Sequence, residues 1–395
     1  MYRPALPVPL IDYGLRDYGL SPTPWPEISY SPLAGLPELT IPEMDACLGL
    51  EPTPEAYVAH LVHVFRLVHN VLRDDGTLWV NIGDSYAANR GYRVPDSMWG
   101  DVGNNHGSVV ANGLKPKDLM MIPARLAMAL QADGWWLRSD IIWHKPNAMP
   151  ESVTDRPTTE HEHIFLLSKS KQYYYDAEAI KMPLAEESWG RMNRKQQLIE
   201  RTRTGTIGKQ VSNGIDQSRG YAGLAEARNG KTGYDPTGRN KRTVWSIPTR
   251  GYSEAHFAVF PPDLIEPCVL AGASLTVCAE CGAAWVRDIK RTASEYNEKE
   301  GTAQSLRCAG VISGGTDKVT LGKTHLVERI DRGLKPACDC NGDTFPGVVL
   351  DPFAGSGTTG MVAAKHGRRA ILIELNEEYM KLQPDRTTVQ MMLEV

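Results

Sequence analysis

The sequence predicts an α/β fold built on a doubly wound, mostly parallel sheet, and three observations carry that prediction. An apolar run, Val348-Val349-Leu350, reads as a buried strand, and Asp351-Pro-Phe-Ala-Gly-Ser-Gly-Thr-Thr-Gly360 leads from it into a helix from about Thr358. After His366-Gly367 a second apolar run, Ala370-Ile371-Leu372-Ile373, ends in Glu374. Far upstream, a helical pattern closes at Arg73-Asp-Asp-Gly76 and feeds the strand Thr77–Ile82. Helix, short turn and strand make one crossover of a parallel sheet.

The glycine-rich stretch is the chemical centre of the sequence. Gly355 and Gly357 allow a tight turn and let bare backbone approach a ligand. Strand, glycine loop, helix, strand and acid, in that order, form a nucleoside-binding half-domain in which the acid accepts from ribose hydroxyls. Gly355, Gly357 and Gly360 also satisfy G-x-G-x-x-G, so a dinucleotide oxidoreductase is the competing class. Two features argue against it. Asp351 stands at the strand end before the glycines, a carboxylate suited to a cation rather than a pyrophosphate. The unit also lies close to the C-terminus, so the rest of its sheet must come from earlier in the chain.

Composition narrows the class. The 395 residues are 42% hydrophobic and 23% charged, an ordinary globular balance. No apolar run approaches the length of a membrane span, and Met1-Tyr2-Arg3-Pro4 opens no signal peptide. The formal net charge of -4 announces no nucleic-acid binder, so the distribution of charge has to decide. Seven cysteines, four of them clustered, point to a reducing cytoplasm and metal ligation rather than disulfides.

Four stretches divide the chain. Residues 1–180 are expected to form one half of the main domain, and within them residues 1 to about 50 are proline-rich and read as loop. Thr53-Pro54-Glu55 starts a helix whose Val58, Leu61, Phe65, Val68 and Leu72 share a face. His60, His63 and His69 read as rim or solvated side chains. Thr77–Ile82 ends at Gly83-Asp84-Ser85-Tyr86, which makes Asp84 a candidate acid at a strand end. Residues 87–113 read as a loop, and Leu119, Ile122, Leu126 and Leu130 as the core face of a helix. Trp135–Trp143 and His163–Leu167 follow as strands, with His161 and His163 as strand-edge residues.

Residues 181–245 are expected to be a basic insert. Between 188 and 250, thirteen Lys and Arg, among them Arg191, Arg194, Lys195, Arg201, Arg203, Lys241 and Arg242, face four acids. Such charge interleaved with Gly, Ser, Thr and Asn suits phosphate contacts. Residues 246–274 and 345–395 complete the nucleoside-binding half. Residues 275–344 form a cysteine-rich insert in which Cys278, Cys281, Cys338 and Cys340 make two tight pairs, a four-thiolate set fit for one structural zinc ion.

The stretch Asp351–Gly360 resembles the S-adenosylmethionine loop of the DNA amino-methyltransferases, in the permuted order that puts the catalytic motif before the cofactor motif. Tyr13-Gly-Leu-Arg-Asp-Tyr-Gly19, Asp84-Ser85-Tyr86, the segment around Lys145 and Asn147, and His256–Ile265 resemble further blocks of that family, in which the Asp84 block shapes the target-base pocket and the Lys145 segment borders the flipped base. The resemblance implies a Rossmann-like methyltransferase sheet and methylation of the exocyclic amine of cytosine or adenine in double-stranded DNA, with the target base flipped out. It implies that Asp351, Phe353, Ala354, Gly355, Ser356, Gly357, Glu374 and Phe260 bind the cofactor and that the basic insert recognises DNA. A cognate restriction endonuclease and a monomeric or homodimeric chain belong to the same expectation.

One departure stands out. The family's Ser/Asp-Pro-Pro-Tyr tetrapeptide directly precedes the Tyr13 heptapeptide, and here that place holds Pro9-Leu10-Ile11-Asp12. Asp12 and Tyr13 are the remaining candidates for its acceptor and ring. The sequence also leaves no room for the strand that should deliver them. A truncated or diverged start is the favoured explanation, ahead of an inactive relative and of an altered site using Asp12 or Asp84.

Overall fold

The computed structural model describes residues 6–8, 20–87, 114–183, 238–250, 260–294 and 326–387. The chain divides into two compact units. The first comprises residues 1–180, 242–286 and 336–395; the second comprises 181–241 and 287–335.

The first unit holds the main sheet. Strand β1 (Leu6–Val8) pairs in parallel with β6 (Thr77–Ile82), Leu6 opposite Leu78 and Val8 opposite Val80. β8 (His161–Ser168) runs antiparallel to both β6 and β7 (Trp136–His144), and β9 (Val244–Ser246) adds in parallel to β7. β14 (Val348–Asp351) and β15 (Arg369–Leu372) are a parallel pair, and β1 lies beside β14. The ladder order is β1, β6, β8, β7 and β9, and the β14–β15 pair lies next to β1 without a ladder to it. The strand for which the sequence seemed to leave no room is thus present. Three residues suffice because β6 pairs with them in register, Leu6 to Val8 against Leu78 to Val80.

Helices cover both faces. α1 (Pro54–Val71) begins where Thr53 accepts from Ala56 N–H, a hydroxyl cap with proline in the first turn. Its Tyr57, Val58, Leu61, Val62 and Phe65 pack with Leu78, Val80 and Ile82 of β6 and with Ile122, Leu126 and Leu130 of α2 (Ile122–Ala132). On the opposite face α3 (Pro262–Gly272) and α4 (Thr358–Lys365) pack on Trp79, Ile141, Trp143, Ile164 and Leu166. Alternate residues of β6 thus feed two separate cores, which is the signature of a doubly covered sheet.

Three expectations need correction. The proline-rich stretch is not plain loop. It forms two antiparallel pairs, β2 (Thr23–Trp25) with β5 (Met44–Ala46) and β3 (Ile28–Tyr30) with β4 (Leu39–Ile41). Strands of three residues flanked by proline need few ladder hydrogen bonds, so the prolines do not break them. α2 starts only at Ile122, and Leu119 is exposed, because Met121 adopts a left-handed conformation (φ 55°) that a helix cannot pass through. His60 is fully buried rather than solvated. Its Nδ1 meets Glu51 at 2.8 Å, and its ring stacks on Trp25 with centroids 4.1 Å apart.

In the second unit β11 (Val286–Ser294) and β12 (Leu326–Lys335) form a two-stranded sheet, with Arg287 bonded to Asp331 at 3.0 Å and Lys335 to Asp288 at 2.9 Å. The loop expected over 87–113 lies, apart from Ala87, outside the described residues, as does most of the basic insert. No described helix is long and apolar enough to cross a membrane.

Candidate active site

β14 carries Asp351 to the carboxyl edge of the sheet, where open α/β folds place their ligands. The chain then turns sharply into α4. Gly355 (φ +49°) and Gly357 (φ +87°) occupy the left-handed region, which strains any L side chain. A Cβ at Gly357 would come within 3.2 Å of the Gln383 side chain. One at Gly355 would meet nothing within 4 Å, so a ligand can come up to bare backbone there.

Glu374 closes the loop from below. Its Oε2 accepts from Gly355 N–H at 2.7 Å and its Oε1 from Asn376 N–H at 2.9 Å. Gln383, on α5 (Glu377–Thr387), donates to Gly355 O at 2.9 Å, and Arg386 bonds the Ser356 hydroxyl. Each Glu374 oxygen keeps a further lone pair, so the carboxylate can shape the loop and still accept from a ligand hydroxyl.

Asp351 has a different environment. The side chain is fully buried, its Oδ1 accepts from Phe353 N–H at 3.0 Å, and its Oδ2 has no hydrogen-bond partner. Burial pushes its carboxyl up to about 7; the nearby Thr359 hydroxyl and the Phe353 N–H oppose the rise, and the Glu374 carboxylate adds to it. A buried carboxyl with an unpartnered oxygen suits a cationic N–H donor and repels phosphate. Ala354 and Ser356 are buried, and Phe353 is half-buried against the α1 core. Phe260, immediately ahead of α3, is buried with Val349, Val362 and Ala363. The loop residues and Phe260 thus converge from two distant parts of the sequence.

Asp84 is structurally occupied. Its Oδ1 accepts from Ser85 N–H at 2.9 Å and from Ile122 N–H at 3.0 Å, satisfying the first helical N–H of α2. Asp84→Ala is expected to lower stability by about 1 kcal/mol through loss of this cap, read as a shift of the urea midpoint. An unshifted midpoint in a variant that has lost function would give the carboxylate a chemical role instead.

Asp12 and Tyr13 lie outside the described residues, as do Arg191, Arg194, Lys195, Arg201 and Arg203. The carboxyl end of β1, Val8, is level with Val80, at the edge to which β6 delivers Asp84. Lys241 is half-buried and Arg242 exposed at the entrance to β9, with Arg242 O accepting from Trp245 Nε1 at 2.7 Å.

The four cysteines come together as the spacing implied. The Sγ atoms of Cys278, Cys281, Cys338 and Cys340 all lie within 4.8 Å of one another. Four thiolates on a tetrahedral zinc would stand about 3.8 Å apart, so a small contraction would complete the set. β10 (Val277–Cys278) pairs antiparallel with β13 (Thr344–Phe345), and Gly282 N–H donates to Cys278 O at 2.9 Å, which bends the first pair into a turn. The Cys281 backbone N–H, foremost among its neighbours, lowers the Cys278 thiol to about 7. A cavity of 470 Å³ beside this turn, lined by Asp75, Gly76, Ser274, Cys281 and Val348, opens at the amino ends of β6 and β14, away from the loop.

The resemblance singled out the segment around Lys145; sequence reasoning missed its buried partners Glu162 and Asn81 at the same carboxyl edge as the loop. Glu162 lies between His161 and His163 at the start of β8 and gives no local signal of burial.

Comparison with known proteins agrees with this site. The profile of a family described as DNA methylase, the N6/N4 methyltransferases, matches residues 45–275 and 342–384. The type II methyltransferase M.Cfr9I of Citrobacter freundii is 35% identical over 382 residues, covering 95% of this chain and 77% of that protein. M.SmaI of Serratia marcescens is 35% identical over 86% of this chain and 76% of its own length. Among solved structures, the cytosine-N4-specific PvuII DNA methyltransferase aligns with 99% of this chain and 82% of its own at 14% identity, with a TM-score of 0.41. The loop, the acid that follows it and the match over most of the sequence lead to one conclusion: the chain belongs to the N6/N4 DNA methylase family.

Proposed function

We propose that this protein is a site-specific DNA methyltransferase that moves a methyl group from S-adenosylmethionine to the exocyclic amine of cytosine or adenine. One observation carries the reading most. Asp351, with a buried unpartnered oxygen, and Glu374, with spare lone pairs under Gly355, present two carboxylates at opposite ends of an open glycine loop. Asp351 would hold the cationic methionine end of the donor, Glu374 its ribose hydroxyls, and Phe353, Ala354, Ser356, Gly357 and Phe260 would line it. When bound, the donor supplies an electrophilic methyl on a sulfonium.

The chain's task is positioning. It must hold the amine nitrogen, methyl carbon and sulfur in line, so that the nitrogen–carbon bond forms as the carbon–sulfur bond breaks. The amine's surplus proton then leaves to solvent. A base inside a duplex cannot be reached, so the target is flipped out. Asp12 and Tyr13 are proposed to meet it, in place of the usual tetrapeptide. Arg191, Arg194, Lys195, Arg201, Arg203, Lys241 and Arg242 are proposed phosphate contacts, which predicts strongly salt-dependent binding.

The four cysteines would hold one structural zinc; with four thiolates it has no open position for substrate. A cytoplasmic location and an endonuclease of the same specificity belong to this proposal. The test is transfer itself. Given methyl-labelled S-adenosylmethionine and unmethylated duplex DNA, the chain is expected to label the DNA. Saturable binding of a nicotinamide dinucleotide, with none of S-adenosylmethionine, would favour the oxidoreductase class instead.

A further inference from the structure

The backbone oxygens of the glycine loop are satisfied from two sources. Ala354 O accepts from Gly357 N–H at 2.8 Å and Gly357 O from Met361 N–H at 3.0 Å, bonds that the turn and α4 close for themselves. The two carbonyls between them are met from α5 instead. Gln383 Nε2 donates to Gly355 O at 2.9 Å, and Arg386 Nη1 donates to Ser356 O at 3.4 Å and to Ser356 Oγ.

Gly355 is held at both of its polar groups. Its N–H donates to Glu374 Oε2 at 2.7 Å while its carbonyl takes Gln383. A left-handed glycine with open space beside it is thereby fixed from a single stretch of chain, residues 374–386. The other end of α5 is anchored as well. Asn376 N–H donates to Glu374 Oε1 at 2.9 Å, and Asn376 Oδ1 accepts from Glu378 N–H at 2.9 Å, which caps the helix. The last turn of α5 lies directly on the loop. A Cβ at Gly357 would stand 3.2 Å from Gln383 Cγ, and one at Gly360 would stand 2.9 Å from Thr387 Cγ2. Thr387 Oγ1 donates back to Gln383 O at 2.8 Å.

α5 contributes little to the core. None of its residues is buried, Met380 is exposed, and Pro384 removes a helical N–H. Little stability can come from burial there. Its side-chain hydrogen bonds go to the loop instead. A glycine-rich loop left to itself samples many backbone conformations, and ordering them when a ligand arrives costs affinity. Donors that hold Gly355 and Ser356 beforehand remove that cost.

We propose that α5 is a clip that presets the glycine loop for the methyl donor, with Gln383 and Arg386 as positioning residues acting through Gly355 and Ser356. The assignment rests on the methyltransferase reading and goes beyond it in naming residues that set donor affinity without touching the donor.

The experiment titrates S-adenosylmethionine into the full chain by calorimetry, with melting curves alongside. Methyl transfer to unmethylated duplex DNA is measured too, with kcat and the KM for the donor determined separately. Gln383→Met and Arg386→Met are each expected to weaken donor binding about 5- to 10-fold, as for one lost hydrogen bond, and the double variant about 50-fold. kcat at saturating donor should change less than about threefold, because the reacting atoms keep their partners. The melting temperature should fall by less than about 3 °C, since no buried side chain is lost. Arg386→Lys, which keeps a donor for Ser356, should recover most of the affinity. A double variant that binds the donor as tightly as the wild type would overturn the assignment. So would a loss of affinity that comes only with a lower melting temperature and is not recovered by Arg386→Lys, since α5 would then be ordinary packing. A wild-type chain that binds no S-adenosylmethionine would overturn the methyltransferase reading, and this assignment with it.

Discussion

Replacing Asp351 by asparagine is expected to weaken S-adenosylmethionine binding by about 100-fold or more at pH 7.5, since removing one partner of a buried charge contact costs roughly 3–5 kcal/mol. The pH dependence makes the prediction sharper. In the free protein burial holds the Asp351 carboxyl at about 7. A cationic ligand requires the ionised form, so wild-type affinity should climb with pH up to about 7 and level off above it. The asparagine variant should show no such climb. Stability should move in the opposite sense. The folded value lies above the ordinary carboxylate value, so the folded state keeps a proton that the unfolded chain has released. Stability without ligand therefore falls as pH rises from about 4 to about 7, and stays lower above that. At pH 8 Asp351→Asn should be more stable than wild type without ligand, by at most roughly 4 kcal/mol for a shift of about three units. Titration calorimetry and melting curves between pH 5.5 and 8.5 test both halves.

The cysteine cluster should have the other large effect. Purified under reducing conditions, the chain is expected to carry one zinc per molecule, measured by elemental analysis. Structural zinc on thiolates is worth on the order of 10 kcal/mol of apparent binding free energy near neutral pH, much of it folding energy. Cys281→Ser together with Cys338→Ser should abolish the metal and lower the melting temperature sharply. S-adenosylmethionine affinity should be retained below the melting range, because the cysteine turn lies at the amino ends of β6 and β14 and the loop at the carboxyl end of β14. A metal-free protein with an unchanged melting temperature would leave the four thiols without a structural role.

Elements made by local patterns were legible in the sequence. Thr53 and Pro54 announce α1, Gly355 and Gly357 announce the turn into α4, and the apolar runs of β6, β8 and β14 announce buried strands. What escaped depends on partners distant in the chain. Three residues of β1 carry no periodicity of their own and become a strand only because β6 pairs with them in register. His60 is buried because Glu51 and Trp25 meet it from the hairpin region, which its helical spacing cannot reveal. The bond from Ile122 N–H to Asp84, which makes the carboxylate a helix cap, spans 38 positions and has no local signal. The bond between Asn81 and Glu162 joins residues 81 positions apart, beyond any motif read locally.

The central claim is that this chain methylates an exocyclic base amine. The most direct measurement is to label unmethylated duplex DNA with the full chain and S-adenosylmethionine, digest it to nucleosides, and identify the modified base by mass spectrometry. The account predicts a single product, N4-methylcytosine or N6-methyladenine, that grows with enzyme and is reduced about 100-fold by Asp351→Asn at subsaturating donor. A product methylated on ring carbon, or no labelled nucleoside while the chain binds S-adenosylmethionine, would contradict it.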